Sequence, residues 1–202
     1  MTVRLTKQAR REQLLDAAMT IVRTQGADGL TLVTLAEAAG VSRPIVYDHF
    51  GTRSGLLIEL YRQLDERYRT AISAAVREAP PTIDEVARVI GAAYFACAAE
   101  MPELTAISAA LKGSPEMEAV QRELLDGYVD LMATALTPYC ELVPAALRLR
   151  CVGILGAADA IARENAPAAK AVPALAALIV GGISPSALGF TGRRGARRAS
   201  TT

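Results

Sequence analysis

The side chains with the most chemical reach in this 202-residue chain crowd into one stretch, "VSRPIVYDHF", Val41 to Phe50. It holds Arg43, Tyr47, Asp48 and His49, the only histidine in the chain. A general base needs a nucleophile or a second titratable group at a fixed spacing. No Ser/His/Asp, Cys/His or paired-carboxylate pattern stands out here, so the chain does not read as an enzyme. Cys97, Cys140 and Cys151 lie far apart among apolar residues, with no CxxC and no Cys/His cluster. They read as buried reduced thiols, and neither a metal site nor a cofactor is expected. The stretch can instead meet charge and hydrogen-bond at a surface, through a guanidinium, a phenol and an imidazole, with apolar Pro44 and Ile45 among them.

Two short helices must present these groups. Gly40 sits where a left-handed C-cap residue is wanted, and Pro44 suits a first turn, where its missing N–H is no loss. Leu35, Ala36, Val41 and Val46 can hold the two helices at a fixed angle, and Phe50 lies one turn beyond Val46. The opposite face then shows Arg43, Pro44, Tyr47 and Asp48, with Ile45 at its edge. Such a pair is a helix-turn-helix, and its second helix enters the major groove of DNA with its N-terminal residues at the base edges. Arg43 suits a bidentate contact to guanine and Ile45 a thymine methyl. Tyr47, His49 and Arg53 suit phosphates. Asp48 is the awkward member, and the preferred reading turns it away to pair with a nearby arginine.

The N-terminal stretch resembles the DNA-binding domain of the TetR family of transcriptional regulators. The matching residues run from "LLDAA" (Leu14–Ala18) through Gly26, Thr31, "LAEAAGVS" (Leu35–Ser42), Tyr47, His49–Phe50 and Leu56–Leu57. The resemblance implies backbone contacts from Tyr47, His49 and Arg53 and base reading at Arg43. Thr31, which can cap the first helix of the pair, joins the expected DNA-facing set. The family often carries Lys where Arg53 stands, and Arg keeps the charge.

The rest of the chain supports an all-α fold of about nine helices. Apolar residues at helical spacing, interrupted by Gly and Pro, predict three short helices first and then a long one from about Ser54 to Glu78. Further helices follow Thr82, Pro102, Pro115, Pro144 and Pro173, the last ending at Gly181–Gly182. The expected division is a helix-turn-helix domain over 1–53 and a helical effector-binding and dimerisation domain over 54–183. Residues 184–202 form a basic tail expected to be disordered. The net charge of +1 hides an asymmetry: +2 over residues 1–55, −5 over 56–188 and +4 over 189–202. A polyanion is drawn to the ends and repelled by the middle. At 51% hydrophobic the chain can bury a sizeable core, and its apolar runs are too short to span a bilayer, so it reads as cytoplasmic.

The helix after Pro144 carries Gly153, Gly156, Ala157 and Ala160, and residues 172–183 are apolar nearly all round. The resemblance implies that these last two helices pair two copies into a homodimer, as a reader of a palindromic operator requires. It also implies an effector pocket in the bundle, with Tyr94, Cys97 and Tyr128 as candidates and an apolar or aromatic small molecule as the effector. The expected function is a repressor released from its operator by that effector. The alternatives are a helical small-molecule-binding protein and a protein-interaction adaptor, neither with sequence-specific DNA binding.

Overall fold

The computed structural model describes residues 5–100 and 102–184, of which 97–100 are described by their backbone alone. Among the described residues the chain folds into nine α-helices and one short 3-10 turn, with no strand. The N-terminal head is built from α1 (Lys7–Gly29), α2 (Leu32–Ala39) and α3 (Arg43–Phe50). A long connector, α4 (Arg53–Glu78), leads into α5 (Ile83–Glu100), α6 (Pro102–Ala110), α7 (Pro115–Leu136), α8 (Pro144–Arg163) and α9 (Ala168–Ile183). With 26 residues, α4 is about 39 Å long at 1.5 Å per residue.

Several boundaries differ from the sequence reading for local reasons. The first helix breaks at Gly26, where φ 76 and ψ 171 suit glycine alone, yet one more turn follows to Gly29. The second helix of the pair begins at Arg43, just inside its cap Ser42, with Pro44 in its first turn as expected. The connector begins at Arg53 because the Thr52 side chain caps it, accepting from Gly55 N–H at 3.0 Å. The last helix starts at Ala168, and Pro173 lies inside it. Lys170 and Ala171 N–H close on the Pro167 carbonyl at 2.8 and 3.0 Å, so a first turn exists before the proline arrives.

Two apolar clusters organise the molecule. The first joins α1, α2 and α3 to the N-terminal half of α4 through Leu14, Leu35, Val46, Leu57 and Leu60. It also takes in Ile107 and Leu111 at the end of α6 and Met117 and Val120 from the start of α7, so the head's core extends well past residue 53. Arg23 on α1 and Glu103 on α6, 2.7 Å apart, add a charged tie. The second cluster is made by α5, α7, α8 and α9, with Ile90, Met132, Cys151, Leu175 and Ile179 buried in it. The α7 stripe therefore changes phase. Met117 and Val120 face the first cluster, whereas Val129, Met132 and Leu136 are buried in the second, with Ala135 packed against it.

Between the clusters the seam of α4 and α7 is polar. Asp65 is 4% exposed and receives a hydrogen bond from Tyr128 Oη at 2.8 Å. Arg69 Nε lies 3.4 Å from Asp65 Oδ2, and the guanidinium crosses Gly127, where an added Cβ would meet Nη1 at 2.6 Å. Desolvation pushes the Asp65 carboxyl above its usual range, opposed by the Tyr128 hydrogen bond and the Arg69 charge.

Candidate nucleic-acid interface

The turn between α2 and α3 is built on Gly40, whose φ 63 and ψ 36 place it in the left-handed region. Its N–H and that of Val41 return to the carbonyls of Glu37 and Ala36 at 3.3 and 3.0 Å, ending α2 sharply. Val46 is fully buried and Phe50 nearly so, and together they fix one face of α3 to the core. Arg43, Pro44, Ile45, Tyr47 and Asp48 are all exposed on the other side, with Tyr47 half exposed. Ile45 and Tyr47 are 37% and 50% exposed, which leaves part of an isoleucine and of a phenol open to a partner on this short helix.

The charged members are only loosely held. Arg43 Nη2 sits 3.8 Å from Glu37 Oε1 on α2, with both side chains more than 60% exposed. Exposed pairs of this kind contribute little and exchange readily for a better anion. Asp48 pairs with Lys7 Nζ at 3.8 Å and not with an arginine as expected, because the N-terminal turn of α1 brings a lysine alongside. His49 is partly buried, and its Nδ1 is enclosed without a hydrogen-bond partner. Desolvation holds its pKa below the ordinary 6.5. Asp48 opposes this, and Lys7, Arg11 and Arg10 reinforce it.

Two members of the expected set are engaged elsewhere. The Thr31 hydroxyl accepts from Thr34 N–H at 3.0 Å, while Thr34 Oγ1 accepts from Thr31 N–H at 2.9 Å. This capping box starts α2 and commits the hydroxyl. Arg53 was expected on phosphate, but its Nε donates to the Leu30 carbonyl at 2.8 Å and its Nη2 to that of Ala27 at 2.7 Å. The last turn of α1 has unsatisfied carbonyls, and the first residue of α4 lies close enough to cap them. Arg53 thus locks the α1–α2 junction.

Sequence reasoning missed Arg11, whose guanidinium reaches both α3 and α4. It also missed Gly55, where a Cβ would stand 2.4 Å from the Phe50 carbonyl oxygen. That approach seats α4 directly under the end of α3. Neither feature has a local signature, since both depend on how helices meet.

The expected effector residues fall in the bundle. Tyr94 and Tyr128 line one cavity with Ile72, Leu131 and Leu155, but its volume is about 20 Å³, and the Tyr128 hydroxyl is already given to Asp65. The side chain of Cys97 lies outside the described residues, as does the basic tail from residue 185. A larger recess of about 820 Å³ opens between α4, α6, α7 and α8, lined by Tyr61, Leu104, Ser108, Met117, Gln121 and Arg163. No group of acidic, histidine or cysteine side chains among the described residues is placed to hold a metal ion. No described helix is long and apolar enough to cross a membrane.

Fold and site together define an all-helical protein whose N-terminal head presents a helix-turn-helix. Residues 14–60 match the profile of the bacterial regulatory proteins of the tetR family. The regulator BetI of Rhizobium meliloti is 32% identical over 87 residues, 43% of each chain, so the curated relative is matched over less than half its length. A TetR-family regulator from Pectobacterium atrosepticum superposes with a TM-score of 0.67 at 25% identity, covering 88% of this chain and 95% of that one. FadR of Bacillus subtilis, solved with stearoyl-CoA, superposes at 0.60 with 19% identity over 86% and 97% of the two chains. Residues 14–60 thus carry the N-terminal DNA-binding region of the tetR family, and the helical remainder is similar to solved members in fold.

Proposed function

We propose that this chain is a sequence-specific DNA-binding transcriptional regulator. In this reading it is a homodimeric repressor that grips a palindromic operator through α3 and is released by a small, largely apolar effector. The observation that carries the proposal is the exposed face of α3. Arg43, Ile45 and Tyr47 project from a helix pinned by Val46 and Phe50, in the arrangement that places the first residues of such a helix at base edges. Tyr47 and His49 serve as backbone contacts, and Arg43 as the base reader.

Dimerisation is supported by an apolar face that one copy leaves uncovered. On α8, Leu149, Val152, Gly153, Gly156 and Ala160 are exposed, and on α9 so are Ala174, Ala177, Leu178 and Gly181. Leu149 alone is 72% exposed. An added Cβ at Gly153, Gly156 or Gly181 meets nothing within 4 Å, so the close approach these glycines permit is available to a second copy. Paired by a two-fold axis, the two α3 helices present the same face to two half-sites about 34–36 Å apart.

The effector is assigned to the recess between α4, α6, α7 and α8, because the cavity beside Tyr94 and Tyr128 is too small for anything but water-sized groups. An occupant there presses on α6, whose Ile107 is part of the head's own core. It acts only through its difference in affinity between the two arrangements of the helices. The stearoyl-CoA bound to Bacillus subtilis FadR is in keeping with an apolar effector.

The test is retention on DNA. The full chain is expected to bind a palindromic duplex with an affinity that falls steeply with salt, and Arg43→Ala and Tyr47→Ala are expected to weaken it. Unchanged binding by both variants contradicts the assignment.

A further inference from the structure

The final carbonyls of a helix have no partners within it and must be met from outside. At the end of α3, Gly51 N–H closes on the Tyr47 carbonyl at 2.9 Å and Thr52 N–H on that of Phe50 at 2.6 Å. The His49 carbonyl is met by a side chain from α1: Arg11 Nη1 donates to it at 3.0 Å. The same guanidinium places Nη2 2.7 Å from Glu59 Oε2 on α4. Its Cζ lies 5.2 Å from the centroid of the Phe50 ring, in range for a cation–π contact. One planar group is therefore carried by α1, ends α3 and leans on α4. With 29% of the side chain exposed, it is more shielded from solvent than the Arg43–Glu37 and Lys7–Asp48 pairs on the outer face.

We infer that Arg11 is a positioning residue for sequence reading, setting the tilt of α3 in the groove from its C-terminal end and tying that tilt to α4. This rests on α3 being the helix that reads DNA. Seven helical rises separate Phe50 from Arg43, about 10 Å, so a tilt of about 10° at the held end moves the reading end by about 2 Å. A bidentate hydrogen bond to a base edge does not survive that displacement. A guanidinium is required, because its fork meets a carbonyl and a carboxylate at once while its flat face covers an aromatic ring. An ammonium offers neither the fork nor the face. Through Glu59, any rotation of α4 pulls on the same group, so the clamp carries movement of the connector into the reading helix.

The experiment compares the duplex recovered best by the full chain from a random pool with a scrambled duplex of equal length and composition. Arg11→Lys keeps the charge and is expected to lose about tenfold in affinity for the selected duplex, with scrambled-duplex affinity held within about twofold. Arg10→Ala, one residue away, removes a charge without touching the clamp and is expected to lower both affinities by a similar factor. Glu59→Gln, which leaves α1 and α3 unaltered, is expected to reduce discrimination in the same sense as Arg11→Lys. Thermal melting of each variant separates loss of fold, which lowers both affinities, from loss of aim, which lowers one. The inference is overturned if Arg11→Lys keeps the selected-to-scrambled ratio, or if both affinities fall together. Failure of the unaltered chain to prefer any duplex overturns the reading of α3 itself, and this inference with it.

Discussion

The Tyr128 hydroxyl donates to Asp65 across the seam of α7 and α4, at the level where one apolar core gives way to the other. The pair ties α4 to α7 just beyond Leu64, the last α4 residue buried in the first cluster. Burial raises the Asp65 pKa above 3.8, so the folded chain binds that proton more readily than the unfolded one. The stability this contributes is complete below the unfolded pKa and is lost as pH rises through the folded value. Tyr128→Phe removes an interaction that favours the carboxylate. The Asp65 pKa is therefore expected to rise further. The loss of stability is expected to be about 1–3 kcal/mol at neutral pH and smaller near pH 4, read by denaturant melts at both values.

Gly55 stands where a side chain has no room. The Phe50 carbonyl oxygen, 2.4 Å from the position of an added Cβ, is backbone and cannot swing aside. Gly55→Ala is expected to destabilise the chain by about 1–3 kcal/mol. It is also expected to reduce specific DNA affinity, because the end of α3 must shift to admit the methyl group. Urea unfolding together with binding to a selected duplex checks both effects.

His49 links binding to pH. In the free chain its pKa lies below 6.5, so stability rises with pH through the window between the folded and unfolded values and is lost as pH falls through it. A phosphate beside the ring favours the imidazolium and raises the pKa in the complex. Affinity for the operator is therefore expected to strengthen as pH falls from about 8 to about 6. His49→Gln is expected to flatten that dependence, as measured by fluorescence anisotropy at constant ionic strength.

The uncovered face of α8 and α9 predicts an oligomeric consequence. Leu149→Asp places a charge at a position that is 72% exposed in one copy, so folding is expected to be unaffected. If the face joins two copies, the variant sediments as a monomer and loses operator affinity. Unaltered sedimentation as a dimer moves the interface elsewhere.

How much of this was legible in the sequence follows from where the information sits. The turn at Gly40, the buried pair Val46 and Phe50 and the exposed run around Tyr47 are set by residues within one or two helical turns of each other. Spacing alone reveals them. Arg11 and Gly55 have no local signature, and Arg53 reads as a phosphate contact, because their roles arise where helix ends meet: Arg53 reaches the Ala27 and Leu30 carbonyls, and Arg11 reaches His49 and Glu59. The change of phase along α7 was hidden for a related reason. A single helix facing two cores in turn does not keep one stripe, and the polar seam at Asp65 and Gly127 marks the crossover. Pro173 misled because a proline was read as a helix start, whereas Pro167 performs that function and α9 accommodates the second proline internally.

The central claim is that α3 of two copies reads a two-part DNA site. Selection of duplexes from a random pool by the full chain, followed by sequencing of the bound fraction, tests it most directly. The account predicts recovery of a two-fold symmetric site with half-site centres about one helical turn, or a whole number of turns, apart, and loss of that enrichment in Arg43→Ala. Recovery of no enriched sequence, or of an enriched site indifferent to Arg43, would contradict it.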